Sequence, residues 1–323
     1  MFLVPDGDEL EIADAAATYL ADTMPIARLH RPDSADMDPA MRASLGEMGW
    51  FALALPEAVG GSGLTAIEHA LFFREVGRQC GPIDVLAQSL AALAIDDEVL
   101  RANILRGATG VALAVSGADE SRVFGSPEAT LVLSVSRERV EIFAQYGGAN
   151  NVRQSLDPAT SIALASQFAN PLVSTEGPLF WQMGQLGVAA MLVGIAEAAL
   201  DQIVEYAKVR ETFGRKIGTW QAVRHPCADM AIRVEAARSQ LWYAATALKE
   251  GRPDAPVHLD AAKHLANIAA VANADTNIQL HGGIGVTDEH DAHLYLKHAL
   301  VLAKLFGAKR DLLGRMLHAE VDD

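Results

Sequence analysis

Cysteine is scarce. The 323 residues hold two, Cys80 and Cys227, far apart and in no Cys-x-x-Cys pair. Neither a disulfide framework nor a thiolate metal site is implied, and buried free thiols in a reducing cytoplasm are expected. Positive charge is in short supply too. The 26 Lys and Arg face 41 Asp and Glu, and a net charge of −15 argues against a nucleic-acid partner held by its phosphates. A few local arginines and helix ends still suffice for a small anionic ligand. The N-terminal stretch "VPDGDELEIADAA" has none of the basic-then-apolar character of a signal peptide. The longest uncharged apolar run, Leu186–Ala196, is too short to cross a bilayer, so neither a membrane nor a nucleic acid is expected as a partner. No fixed-period repeat and no low-complexity segment occurs. What remains is half hydrophobic and 21% charged, a globular cytoplasmic chain long enough for a sizeable core.

The pattern is helical at both ends and different in the middle, which implies a mostly α protein with a small β unit. From Glu9 to about Gly107 apolar residues recur at three- and four-residue spacing, broken at Pro32, Pro39, Pro56 and Gly60–Gly63. Asp38 reads as a helix cap with Pro39 at the first position. Thr65 reads as another cap, with Glu68 completing a capping box and Gly77 or Gly81 near that helix's end. Between Val111 and Val173, "VALAVSG", "ATLVLSVS", "RVEIFAQY" and "SIALAS" read as the few strands of a compact antiparallel unit. Beyond Pro178 long helical segments return and predict an antiparallel bundle with short loops. The expected divisions are 1–107, 108–175 and 176–323.

Two stretches carry candidate chemistry. "HGGIG" (His281–Gly285) ends a helix-like run, where a Rossmann fingerprint would follow a strand. A helix C-cap and turn explain its glycines, and so does close approach by a cofactor. "RETFGRKIGTWQ" (Arg210–Gln221) follows a helix and mixes cations, glycines and an aromatic. It suits either a solvated interhelix turn or a loop that places guanidinium and hydroxyl donors on a pyrophosphate.

Taken together these stretches resemble the C-terminal bundle of the acyl-CoA dehydrogenase family, and "LPEAVGGSGL" with "FREVGR" resembles its first helical domain. The resemblance covers about Met41 to Gly107 and Gly184 to Gly307. It implies an N-terminal helical domain, a middle β domain, here reduced, and a C-terminal four-helix bundle. It also implies an FAD shared across a subunit interface. Arg210, Thr212, Phe213, Gln221, Gln279, Gly282 and Gly283 match the residues that grip the cofactor bound to a neighbouring chain.

The family's other elements are missing. No Thr-Glu-Pro…Gly-Ser-Asp or Trp-Ile-Thr segment is present, and "SGADES" is at best a worn trace of the first. The reaction needs a carboxylate in a dry pocket to take a proton α to the thioester. The family's two placements for it fall here on Phe306 and Gly184, with Gln185 in place of the usual Arg. Glu176, Asp288 and Glu289 are replacement candidates. Each also has a plainer reading: Glu176 as a linker residue, Asp288 as an N-cap and Glu289 as a first-turn carboxylate. His290, Asp291, His293 and His298 invite a metal reading, against which polar surface histidines are the default. The chain is similar to the short subunits of actinobacterial α2β2 acyl-CoA dehydrogenases, which act on CoA thioesters of steroid side chains. That implies a longer partner subunit with the base, an acyl-CoA substrate and an electron-transfer flavoprotein as acceptor. A divergent homo-oligomer with a relocated base and a non-catalytic binding protein are the alternatives.

Overall fold

The computed structural model describes residues 5–31, 37–116, 120–144, 152–153, 155–165 and 168–319. Pro32 and the centre of "SGADES" lie outside the described residues. Five helices come first: α1 (Gly7–Thr23), α2 (Pro39–Glu47), α3 (Ala66–Arg78), α4 (Asp84–Ala94) and α5 (Glu98–Leu105). Their starts are chemically marked. The Asp38 carboxylate accepts the Met41 N–H at 2.8 Å, with Pro39 in the first turn. Thr65 and Glu68 form the reciprocal capping box, with Thr65 N–H donating to Glu68 at 2.8 Å.

Seven strands follow: β1 (Val111–Ser116), β2 (Ser121–Phe124), β3 (Leu131–Val135), β4 (Arg139–Ala144), β5 (Val152–Arg153), β6 (Ile162–Ala165) and β7 (Val173–Glu176). They form one sheet in the order β5-β6-β2-β1-β3-β4-β7. An all-antiparallel unit of few strands does not describe it, because β1 and β3 pair in parallel, Val111 opposite Leu131. The cause is topological. Strand β2 turns back against one edge of β1, and β6 takes the far edge of β2. Two reversals then leave β3 running with β1, on the edge of β1 still open.

The helices return as α6 (Pro178–Val209), α7 (Gln221–Lys249), α8 (Ala255–His281), α9 (Ala292–Leu302) and α10 (Lys309–His318). Between α6 and α7 a short hairpin joins β8 (Glu211–Thr212) to β9 (Arg215–Lys216). Helix α6 is the spine. Its length and its mean hydropathy of 1.6 over 18 residues would suit a membrane span, but 94% of that window is buried inside the protein. Two glycines let α3 lie directly on it. A Cβ on Gly77 would fall 2.0 Å from the Met191 carbonyl oxygen, and one on Gly194 would fall 1.9 Å from that of Arg74. Gly77 therefore serves helix packing, and the left-handed turn after α3 falls on Cys80 instead. Buried Asn273 ties three bundle helices together. Its amide donates to the carbonyls of Ala196 and Met230, both at 3.2 Å, and its oxygen accepts from Arg233.

Candidate functional site

One end of the bundle gathers the residues of the two candidate stretches. Helix α6 ends at Val209, α8 ends at His281 and α7 begins at Gln221, so their antiparallel course brings these termini to the same end. Arg210 caps α6 in extended backbone, and its carbonyl accepts the Ile217 N–H at 2.9 Å, closing the β8–β9 hairpin. Thr212 pairs with Arg215, leaving Phe213 and Gly214 as a two-residue turn with φ of 50° and 77°. Such a turn needs positive φ at both positions, which an aromatic residue adopts only at a cost. The strained backbone presents the Phe213 ring to solvent, 94% exposed. Cations crowd the hairpin. Arg215 lies over the Trp220 ring at 4.8 Å, and Lys216 pairs with Glu211 at 2.7 Å, which holds the Glu211 carboxyl below its usual range.

The α8 terminus shows the complementary half. Gly282 follows the helix at φ 69° and ψ −145°, a conformation that requires glycine. Gly283 has no such reason: its φ is not positive, and an added Cβ would meet nothing within 4 Å. Gln279, Gly282 and Gly283 are all exposed. Among the described residues, no side-chain hydrogen bond or ion pair engages Arg210, Thr212, Gln221 or Gln279. These side chains are thus unpartnered polar groups around an open backbone.

The far end of α6 is closed. Gly184 and Phe306, far apart in sequence, are in contact: a Cβ on Gly184 would sit 2.2 Å from Phe306 Cε1 and 2.4 Å from Cζ. The two positions at which the resemblance implies a base therefore converge on one spot, and an aromatic ring fills it. Phe306 is buried, leans on Trp181 at 5.4 Å between centroids and holds φ 52°. A cleft of about 240 Å³ remains between these two rings and the sheet, lined also by Leu113, Val135, Arg137 and Arg315. Arg137 reaches over the Trp181 ring at 5.8 Å.

Sequence reasoning missed the polar cluster behind that cleft. Gln185, standing where the resemblance implies arginine, donates to buried Asp260 at 2.7 Å. The positive charge Asp260 needs comes from Arg315 on α10, which donates to both carboxylate oxygens at 2.8 and 2.6 Å. Lys263, one turn on, was also unforeseen. It is fully buried, and among the described residues its ammonium finds only the Asn267 oxygen at 2.7 Å and the Leu302 carbonyl at 3.3 Å. Desolvation pushes it down to about 7. Only its spacing on the apolar face of α8 hinted at burial.

The replacement carboxylates are badly placed for proton abstraction. Glu176 is not in a linker. It ends β7 opposite Arg139 and is exposed. Asp288 and Glu289 are exposed as well, and the whole of α9 separates them from Phe306. Neither is a helix-start residue, because α9 begins at Ala292. The Ala292 N–H donates instead to His290 Nδ1 at 3.1 Å, while Asp291 pairs with His30 at 2.5 Å. The histidines are not all on the surface. His298 is fully buried and bonded to Asp157 at 2.8 Å, and His293 is 8% exposed. Among the described residues no three His, Cys, Asp or Glu gather to hold a metal ion.

Residues 6–101 match the N-terminal domain of acyl-CoA dehydrogenases and residues 180–316 match their C-terminal domain. The acyl-CoA dehydrogenase IpdE2 of Mycobacterium tuberculosis is 33% identical over 276 residues, covering 84% of this chain and 83% of the relative. Among solved structures, a variant of the Tcur3481–Tcur3483 steroid ACAD has a TM-score of 0.80 at 23% identity, covering 96% of each chain. The ChsE4–ChsE5 complex from Mycobacterium tuberculosis has a TM-score of 0.77 at 21% identity, covering 99% of this chain and 100% of that one. At these identities the two structures show a shared fold.

Proposed function

The chain belongs to the acyl-CoA dehydrogenase family, and we propose that it serves there as the short subunit of an α2β2 enzyme, gripping an FAD seated in a longer partner subunit. The observation that carries this reading is the separation of its two ends. At about 1.5 Å of rise per residue, Gly184 and Arg210 lie roughly 39 Å apart along α6. That is more than an extended FAD spans, so the clamp and the cleft of one chain cannot serve one cofactor molecule. The clamp end has the donors, the open glycine and the local positive charge that a pyrophosphate requires. The cleft end holds Phe306 where a base would stand.

When bound, FAD supplies the acceptor for hydride leaving the β carbon of an acyl-CoA. In the proposed assembly Arg210 neutralises and donates to the pyrophosphate, Thr212 and Gln279 add hydrogen bonds, and Gly283 lets the cofactor approach the backbone. Gln221, Gly282 and the Phe213 ring complete the contact surface. The longer subunit supplies the base and most of the substrate pocket. The proposed substrates are CoA thioesters of steroid side chains, in keeping with the likeness to a steroid ACAD; an electron-transfer flavoprotein as acceptor and a cytoplasmic location complete the proposal. Residues 1–107, 108–175 and 176–323 are proposed as the helical, β and bundle units.

The test is purification alone and after co-expression with a longer acyl-CoA dehydrogenase subunit. The expected result is a colourless, inactive chain by itself and a yellow, active complex. A yellow homo-oligomer whose flavin is reduced by an acyl-CoA overturns the proposal.

A further inference from the structure

The two clamp turns are joined by an aromatic stack. Tyr206, one helical turn before Arg210, packs on His281 with 4.4 Å between ring centroids, and His281 packs on His290, also at 4.4 Å. Tyr206 also meets His290 edge-on at 6.5 Å. His281 and His290 bracket the turn that carries Gly282 and Gly283. The stack therefore closes the base of that turn onto the helix that ends in Arg210.

Each imidazole has one ring nitrogen engaged by the backbone. His281 Nδ1 lies 2.8 Å from the Asn277 carbonyl oxygen, which can only accept, so Nδ1 carries the hydrogen. Its Nε2 is buried and has no partner among the described residues. His290 Nδ1 accepts the Ala292 N–H at 3.1 Å, so that nitrogen cannot hold a proton while the bond lasts. A proton added to His281 falls on a buried nitrogen without an acceptor, and the new cation faces the His290 ring.

Nearby charges do not offset this. On α6, Glu205 and Lys208 are exposed and paired with each other at 2.6 Å. On α8 the neighbouring acid is exposed Asp275, and in the turn Asp288 and Glu289 are exposed. Asp291 is held by His30, and His293 is flanked by Asp288 at 4.0 Å. Neither stacked ring is hydrogen-bonded to a carboxylate among the described residues.

We propose that the Tyr206–His281–His290 stack is the positioning element that sets Gln279 and Gly283 in register with Arg210, and that protonating His281 loosens the clamp so that the complex releases FAD on acidification. This rests on the reading that these turns hold a partner's FAD. Burial, and then the neighbouring His290, push His281 below its usual 6.5. The intact stack is therefore fully present above that value and is lost as pH falls through the lowered one.

The experiment measures the FAD dissociation constant of the co-expressed complex by flavin fluorescence between about pH 7.5 and 5. The expected result is a loss of roughly tenfold in affinity at the acid end, cut to about twofold by His290→Phe, which keeps a ring against His281 and removes the imidazole that a His281 cation would face. Tyr206→Leu, with a normal thermal midpoint, is expected to weaken binding about fivefold already at neutral pH. A flat wild-type profile overturns the proposal, as does a His290→Phe profile as steep as wild type. Neutral affinity unmoved by Tyr206→Leu overturns it too. If the complex binds no FAD at any pH, or if Arg210→Ala leaves neutral affinity intact, the clamp reading itself has failed.

Discussion

The packing of Phe306 on Gly184, as a plug at the position where the resemblance implies a base, can be tested by a double-mutant cycle. Alanine at 184 brings its Cβ to 2.2 and 2.4 Å from two carbons of the Phe306 ring, well inside the 3.0 Å that real Cβ atoms respect. The ring cannot swing aside freely, because it is buried and leans on Trp181. Overpacking of this kind costs about 1–3 kcal/mol. Truncating a buried phenylalanine costs about 3–5 kcal/mol through lost burial and the cavity left behind. If the two residues were independent, Gly184→Ala with Phe306→Ala would cost the sum. With the ring gone, the new methyl has nothing to strike and fills part of the void. The double variant is then expected to be no less stable than Phe306→Ala alone, a coupling of about 1–3 kcal/mol. Urea unfolding at equilibrium, with the m value checked for constancy, reads this directly. Additivity within about 0.5 kcal/mol would show that the ring does not sit on Gly184, and the plug would have to be abandoned.

Three further outcomes are expected. On the proposed assembly, Arg210→Ala would remove a charged contact worth about 1.5–3 kcal/mol and should weaken FAD retention by the co-expressed complex roughly ten- to hundredfold, as read by flavin release on dilution. Lys263→Met should stabilise the chain near neutral pH, because the fold lowers that ammonium to about 7. A depressed lysine binds fewer protons folded than unfolded, so its penalty fades as pH rises from 7 toward 10.5. The stability gap between variant and wild type should narrow by on the order of 3 kcal/mol between pH 7 and 10, and parallel unfolding curves would contradict the assignment. Asp157→Ala strands fully buried His298 without its carboxylate and should cost about 3–5 kcal/mol in thermal or urea unfolding.

Helix starts were legible because their chemistry is local. Asp38, Thr65 and Glu68 do in the structure what their spacing implies, since a cap and its first turn lie within four residues. The sheet's parallel β1–β3 pair was not legible, because it depends on which edge each later strand finds free. Nor was the role of Gly77. Its neighbour is Met191, more than a hundred residues away, and nothing near Gly77 announces the contact. The start of α9 was misjudged for a related reason. Asp288 looked like a cap by type, yet the chain turns until Ala292, with His290 accepting the first N–H and His30 drawing Asp291 away.

For the site, the sequence yielded residue identities and the fold supplied the distances that give them meaning. Arg210, Thr212, Gln279 and Gly283 could be named from two short stretches, and the helix termini do bring those stretches to one end of the bundle. Phe306 and Gly184 stood at two separate positions in the chain, each merely lacking a carboxylate. Folded, they are one position, and the residue at each accounts for the other: the ring needs a glycine beneath it, and the glycine leaves room for nothing else. A carboxylate at Phe306 alone would still face Trp181 with Arg137 above it, roughly 39 Å along α6 from the chain's own clamp. The Phe306–Gly184 position and the Arg210–Gln279 end of the bundle thus lie too far apart to be halves of one site. Arg210, Thr212 and Gln279 are the open, unpartnered groups that the proposed clamp on a partner's FAD would use.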